Sequence, residues 1–431
     1  MARIVVVGGG FGGCASAVRL AKLGHQVTLL EATPRIGGAI GTVEHDGFVW
    51  QTGPTHTLLP AVVRDLYVKS GRKIEREFDL VPTGPTRHVF ADGSEVDLPA
   101  GSRAEQKHAL DQLESGLGQA WLDWVRPYAD VWAALRRDLF ERPYDAARAA
   151  PSTRELLKAR ESLEGVARTL PDPRLTALAT SDAVVAGHRP RRVPAWWGLQ
   201  HYLRQTFDTW TVPAEQGGMA RLADSLAARL ATRRVDVHTQ MPVLDIALER
   251  GRLRGVHTAS GLVAADRVVV AVDPRQLPSL RRFTRRATAA LPPHVIHLGL
   301  AGDPPGSWPH EVVLHGGPHL VVRPGGGGAW TVLAADPGRR DPLEVLAERG
   351  LDLRPLVTTR IDHSPADQIR RWRGSPLGVA WAGRATVRHR LGTNTPIEGV
   401  HLSGAHASLG SAVPYVGLSA ALVAQQVGPA R

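Results

Sequence analysis

The sequence predicts an α/β protein of more than one domain. A parallel sheet opens at residue 3, a second, antiparallel sheet lies further along, and a helical stretch separates them. Three observations carry this. The apolar run Arg3–Val7 is followed by Gly8-Gly9-Gly10-Phe11-Gly12-Gly13, a helical pattern to Leu23, Gly24, and a second strand from His25 to Leu30 that ends at Glu31. The β-branched run Ala265–Val272 has the look of a strand buried on both faces, as in parallel sheets. Strand-like runs at 294–300, 311–315, 319–323 and 330–334 follow one another without an intervening helix, which predicts antiparallel pairing.

The opening unit has a physical logic. Glycines at 8, 10 and 13 fit G-x-G-x-x-G between a strand and a helix. Gly8 permits the tight turn, Gly10 lets backbone approach a pyrophosphate, and Gly13 lets the helix lie close on the sheet. The N–H groups and positive end of the helix then face two phosphate charges. Glu31 can accept hydrogen bonds from the adenosine ribose and repels a 2′-phosphate, which disfavours NADP.

The remaining elements follow in order. Residues 32–42 read as a loop in which Gly37 and Gly38 again allow close approach. Asp46–Thr55 is a short strand leading into a Gly-Pro turn, and Asp92-Gly93 centres a β-hairpin. From Gly101 to Gly165 the pattern is helical, with Trp121, Trp124, Val125, Tyr128 and Trp132 on one face and Pro127 placed to kink or divide it. That face is either buried core or an apolar lid. A helix opens near Gly217-Gly218-Met219, strands follow at 235–238 and 243–246, and a hairpin joins 252–258 to 261–263. Gly325–Gly328 lies between two strands, so it is a hairpin loop and leaves one dinucleotide site. The tail repeats strand, glycine turn and helix from Gly399 to Val427.

Composition bounds the rest. The 431 residues are 43% hydrophobic and 22% charged, ordinary for a globular protein. The single cysteine, Cys14, excludes an intramolecular disulfide and a Cys-based metal cluster, and reads as a packing residue. The net charge of +11 fits a GC-rich coding bias or attraction to anionic surfaces, and no motif points to nucleic acid. With no leader and no membrane-length apolar run, the expected compartment is the cytoplasm, with peripheral membrane contact as an alternative placement.

Together these pieces resemble the phytoene desaturase-like (carotenoid desaturase) branch of the FAD-dependent amine oxidase superfamily. The resemblance rests on the glycine motif with Glu31, Arg35-Ile36-Gly37-Gly38, Asp46-Gly47-Phe48 with Thr52–Thr55, Gly217–Met219, Ala265–Val269, and Gly404-Ala405 through Pro414. Asp172–Leu175, Gly187 with Pro190, and Pro194-Ala195 also match that branch. It implies a Rossmann-like FAD-binding domain with a discontinuous antiparallel-sheet substrate domain and a helical lid. The expected segments are 1–80, 213–285 and 386–431 for FAD, 81–212 for the lid and substrate part, and 286–385 for the sheet.

The resemblance further implies noncovalent FAD. Its pyrophosphate would rest on Gly8, Gly10, Phe11, Gly12 and Gly13, with Glu31 and Ala32 at the adenosine ribose. Arg35, Gly37, Gly38 and Ala39 would line the phosphate and ribityl region, and Val243 would offer backbone to adenine. Gly53, Pro54 and Thr55 would lie near the isoalloxazine, with Gly404, Ala405, Val413 and Pro414 at the ribityl chain and pyrimidine end. The chain departs from the family at Ala39, at Ala407–Gly410 and at Tyr415. His406, His56 and Tyr415 are the candidate catalytic residues. The expected reaction is dehydrogenation of an apolar isoprenoid, polyene or natural product by hydride transfer to flavin N5, with oxygen or a quinone as acceptor. The alternatives are a flavin amine oxidase, a redox-neutral flavin isomerase, and a non-enzymatic lipid binder of the Rab-GDP dissociation inhibitor type.

Overall fold

A computed structural model describes residues 1–302, 304–335, 338, 340–407 and 410–430. Its centre is a five-stranded parallel sheet of β1 (Arg3–Val7), β2 (Gln26–Leu30), β3 (Asp236–His238), β4 (Arg267–Val270) and β5 (Val400–Leu402), in the order β5-β4-β1-β2-β3. The registers Val5–Val268 and Val5–Thr28 place β1 in the middle. One of its neighbours, β2, follows it closely in sequence, and the other, β4, comes from a distant part of the chain. Val5, Val6, Val268, Val269 and Val270 are buried, as the β-branched runs predict.

Helix α1 (Phe11–Lys22) crosses from β1 to β2 and packs against α2 (Val413–Val427), the last helix. α2 starts two residues before the expected Tyr415, because Pro414 fits the first turn of a helix. Cys14 is buried and donates to the Gly9 carbonyl at 3.1 Å, and burial beside Glu31 pushes its thiol up to about 12. It is a packing residue, as its position predicts.

The second sheet has seven strands: Val357–His363, His294–Leu300, Ala329–Ala335, His319–Arg323, Val312–Leu314, Thr86–Val89 and Glu95–Leu98. It is mixed rather than wholly antiparallel, because Val312–Leu314 runs parallel to Thr86–Val89. The hairpin around Asp92-Gly93 joins this sheet as a unit, and its direction is set by that edge. Gly326–Gly328 is a turn between two antiparallel strands, as expected.

Helices fill the segment between residues 103 and 207. Pro127 divides Leu117–Val125 from Tyr128–Leu135. Trp121, Val125, Tyr128 and Trp132 are all buried, so this face is core. Residues 214–220 form two short 3-10 turns instead of a helix start, because Gly217 takes φ +97° between them; the α-helix begins at Arg221. Among the described residues no helix is long and apolar enough to cross a membrane.

Candidate functional site

The glycine turn after β1 forms a cradle. Gly10 caps α1, and no side chain caps the helix, so its first N–H groups are left for a ligand. Gly8 has φ +99°, a region open to glycine. A methyl at Gly12 would stand 2.7 Å from Gly404 Cα, and one at Gly13 would run into the Gly8 carbonyl. These two glycines are dictated by packing. Gly10 is different: a methyl there would meet nothing nearer than Gly38 Cα at 3.9 Å. Its openness serves something other than the fold, and the cradle fits a pyrophosphate.

Several predicted positions meet here. Gly37 bridges Gly10, and its N–H donates to the Gly9 carbonyl at 2.8 Å. A methyl at Gly38 would stand 2.8 Å from Gly10 Cα. Ala39 accepts from Thr52 Oγ1 at 3.1 Å, and Gly53 lies against the Ala39 carbonyl. The Gly9 and Thr33 N–H groups donate to the two oxygens of Glu31 at 2.6 and 2.7 Å. A carboxylate keeps further lone pairs for ribose hydroxyls. Beside it, Met241 N–H donates to the Glu31 carbonyl and Gln240 N–H to the Thr33 carbonyl, which brings the chain to Val243 at the start of Val243–Glu249. Ala32 is partly buried, whereas Arg35 is exposed, and its carbonyl accepts from Thr33 Oγ1 at 2.8 Å.

The far end of the chain closes the cradle. Ser403 Oγ donates to the Gly12 carbonyl at 3.1 Å, and Gly404 N–H donates to Ser419 Oγ at 2.9 Å. α2 has Ala412 as its N-cap and no side-chain cap, followed by Val413 and Pro414. Ala405 packs against the core under α1. Ser408 and Leu409, in the tail that departs from the family, lie outside the described residues.

The three catalytic candidates have different partners. His56 sits edge-on to His310 with ring centroids 6.0 Å apart, and its Nδ1 is buried without a partner. Burial and the nearby arginines outweigh Glu311 and pull it down to about 4, so it is neutral at pH 7. The adjacent Thr55 Oγ1 and Pro54 complete the turn, and Thr55 Oγ1 is also buried and unpartnered. His406 is held by its Nε2–H to the Ser375 carbonyl at 3.1 Å, with Nδ1 3.9 Å from Asp273. Burial lowers its affinity for a proton, and Asp273 partly offsets this. Tyr415 accepts from Gln200 Nε2 at 2.5 Å and stacks on Phe140 at 5.3 Å.

Two clusters have no motif of their own in the sequence. Beside His56, between the seven-stranded sheet and the helices, lie the pairs Asp182–Arg204 (3.1 Å), Glu311–Arg323 (2.8 Å), His88–His315 (2.9 Å) and Ser181–His319 (3.1 Å). Near α2, His188 meets Trp197 edge-on at 5.5 Å, Trp197 meets Trp381 at 5.9 Å, and the Arg390 guanidinium lies 5.9 Å from the Trp381 ring. Each of these four contributes a buried polar atom without a hydrogen-bond partner: His188 Nδ1, Trp197 Nε1, Trp381 Nε1 and Arg390 Nη2. Only the Trp196-Trp197 pair is conspicuous in the sequence. His188 falls within the Gly187–Pro190 stretch, and Trp381 and Arg390 are single residues in loops.

A glycine cradle between two uncapped helix starts defines a nucleotide-binding oxidoreductase architecture, and the chain belongs to the family of flavin containing amine oxidoreductases, which it matches over residues 11–428. Among curated proteins it is similar to a zeta-carotene-forming phytoene desaturase of Myxococcus xanthus, at 30% identity over 72% of this chain and 63% of that protein. It is also similar to hydroxyneurosporene desaturases of Cereibacter sphaeroides and Rhodobacter capsulatus. The first is 31% identical over 64% of this chain and 57% of that protein. The second is 26% identical over 95% and 94%. The chain thus spans less than two thirds of the first and second of these relatives. Among solved structures, a redesigned triple mutant of putrescine oxidase superposes with a TM-score of 0.71 at 15% identity, covering 99% of this chain and 97% of that one. Cyclohexylamine oxidase from Brevibacterium oxydans gives 0.67 at 16%, covering 99% of each. These likenesses establish the fold, a mixed α/β architecture.

Proposed function

We propose that this protein is an FAD-dependent dehydrogenase that desaturates an apolar isoprenoid or polyene. One observation carries the cofactor reading: Gly10 is open where Gly12 and Gly13 are closed by their neighbours, at the start of an uncapped helix. The names of the curated relatives support the substrate class. In this reading residues 1–80, 213–285 and 386–431 hold FAD without a covalent bond, 81–212 forms the lid, and 286–385 supplies the substrate-facing sheet.

Bound flavin supplies an acceptor for a hydride at N5, with oxygen or a quinone as the final acceptor. The chain's own residues do the rest. The first turn of α1 binds the pyrophosphate through backbone N–H groups, and Glu31 fixes the adenosine ribose. The start of α2 offers a second positive helix end to negative charge at the pyrimidine. The buried Trp and Leu side chains of the lid exclude water. His56, kept neutral and with a buried Nδ1 that has no partner among the described residues, offers a hydrogen-bonding group to the substrate beside the Gly53–Thr55 turn. His406, fastened by Ser375, positions the turn after Gly404.

The test is the visible spectrum of the purified protein, repeated on the supernatant after denaturation. A released flavin chromophore, bleached anaerobically by an isoprenoid polyene, is the expected result. A colourless protein that takes up no added FAD overturns the reading. A flavoprotein that no polyene bleaches removes the substrate class and leaves the cofactor.

A further inference from the structure

Behind Tyr415, on the side of α2 away from α1, lies a cavity of about 240 Å³. Leu139, Phe140 and Leu422 form its apolar wall, and Thr393, Asn394 and Arg390 its polar end. At about 30 Å³ per water-sized group it holds roughly eight heavy atoms, enough for the end of a chain and not for a long polyene.

Arg390 is the unusual member. Its Nη2 is buried and unpartnered, and among the described residues no carboxylate forms an ion pair with it. Burial alone lowers its proton affinity, to about 10, so it stays charged at neutral pH. Trp381 contacts its guanidinium through the ring face at 5.9 Å, an interaction that offsets only part of the cost of desolvating a cation. A guanidinium fork matches a carboxylate in two parallel hydrogen bonds. The Thr393 hydroxyl already accepts from Gln426 Nε2 at 2.7 Å, so its own hydrogen is left to donate. One cation among apolar walls balances one negative charge, which favours a monoanion over a phosphate dianion.

We propose that this cavity is a binding site for the carboxylate end of an apolar chain, with the acid paired to Arg390 and the first carbons against Leu139, Phe140 and Leu422. The cavity adjoins the far end of the cradle, since its lining includes Tyr415 and Ser419, the acceptor of the Gly404 N–H, but the proposal rests on Arg390 and the apolar wall alone.

Calorimetric titration of the flavin-loaded protein with octanoate, octanol and acetate tests it without any turnover. Octanoate is expected to bind, acetate and octanol to bind much more weakly, and R390M to lose roughly thirtyfold in octanoate affinity. R390M is also expected to melt no lower than the native protein, since it removes a half-buried charge that has no carboxylate partner among the described residues. R390K keeps the charge without the fork and is expected to fall between the two. Native protein that binds octanol as tightly as octanoate overturns the proposal without reference to any variant. Acetate binding as tightly as octanoate overturns the apolar-chain assignment. R390M that melts lower yet keeps octanoate affinity assigns the guanidinium to propping Trp381 and also overturns it.

Discussion

The glycine cradle and the aromatic cluster behind Tyr415 are assembled by opposite means. The cradle uses backbone: N–H groups, carbonyls and the space left by missing side chains, most of it within residues 8–38. The cluster uses side chains, drawn from His188, Trp197, Trp381, Arg390 and Tyr415, which only the finished fold brings together. Backbone recognition leaves a local pattern of glycines. Side-chain recognition from scattered loops leaves none.

The sharpest way to break this contrast is within the cradle. Gly13→Ala drives a methyl into the Gly8 carbonyl and is expected to cost about 3 kcal/mol and abolish flavin binding. Gly10→Ala has room and is expected to leave the stability of the apoprotein within about 0.5 kcal/mol of native. Its flavin affinity is expected to fall about tenfold, or 1.4 kcal/mol. Flavin absorbance per protein and apoprotein melting decide it. If both variants destabilise the apoprotein equally, Gly10 is a packing residue and the cradle loses its distinction.

Acid comes next. Burial holds His56, His188, His297 and His319 each at about 4, below the ordinary 6.5. The unfolded chain therefore binds more protons than the native one between pH 6.5 and 4, and stability falls as pH falls through that window. Each tenfold change in proton affinity is worth about 1.4 kcal/mol. The melting temperature is expected to drop steeply there and to change little from pH 7 to 8. His319→Gln, which retains a partner for Ser181, is expected to flatten the slope. A flat profile in the native protein shows these imidazoles are hydrated.

A smaller effect separates two tryptophans. Trp50 Nε1 donates to the Leu298 carbonyl at 2.9 Å, and Trp50→Phe is expected to cost about 1–3 kcal/mol by orphaning that carbonyl. Trp197 Nε1 has no partner, so Trp197→Phe is expected to cost clearly less. Denaturant midpoints compare them. The smallest change is Tyr415→Phe, which takes the acceptor from Gln200 and is expected to cost about 1 kcal/mol with flavin content unchanged.

The same contrast explains what was legible. The strand–glycine–helix–strand unit is readable because its spacing is imposed by contacts inside it. The β-branched run at 265–272 is readable because burial on both faces leaves a continuous apolar pattern, although only Arg267–Val270 forms the strand. The parallel pairing of Thr86–Val89 with Val312–Leu314 was hidden, since partner choice between remote strands has no local sign. The helix expected to open at 214–219 failed on the left-handed backbone of Gly217 and Gly218. Arg390 was invisible because a half-buried arginine with one unpartnered nitrogen looks like any other in so arginine-rich a chain. The ion pairs beside His56 escaped for the same reason.

The central position of β1 has a consequence for synthesis. Its flanking strand β4 lies past residue 266, and the helix that closes the cradle over Gly12 does not begin until residue 413. β1 gains α1 on one face and β2 at one edge at once, but its other face and edge wait for strands and a helix made hundreds of residues later. Contacts so remote make for slow folding and a long aggregation-prone interval. Chaperone demand during expression follows from that order, and flavin capture belongs to the released chain rather than the nascent one.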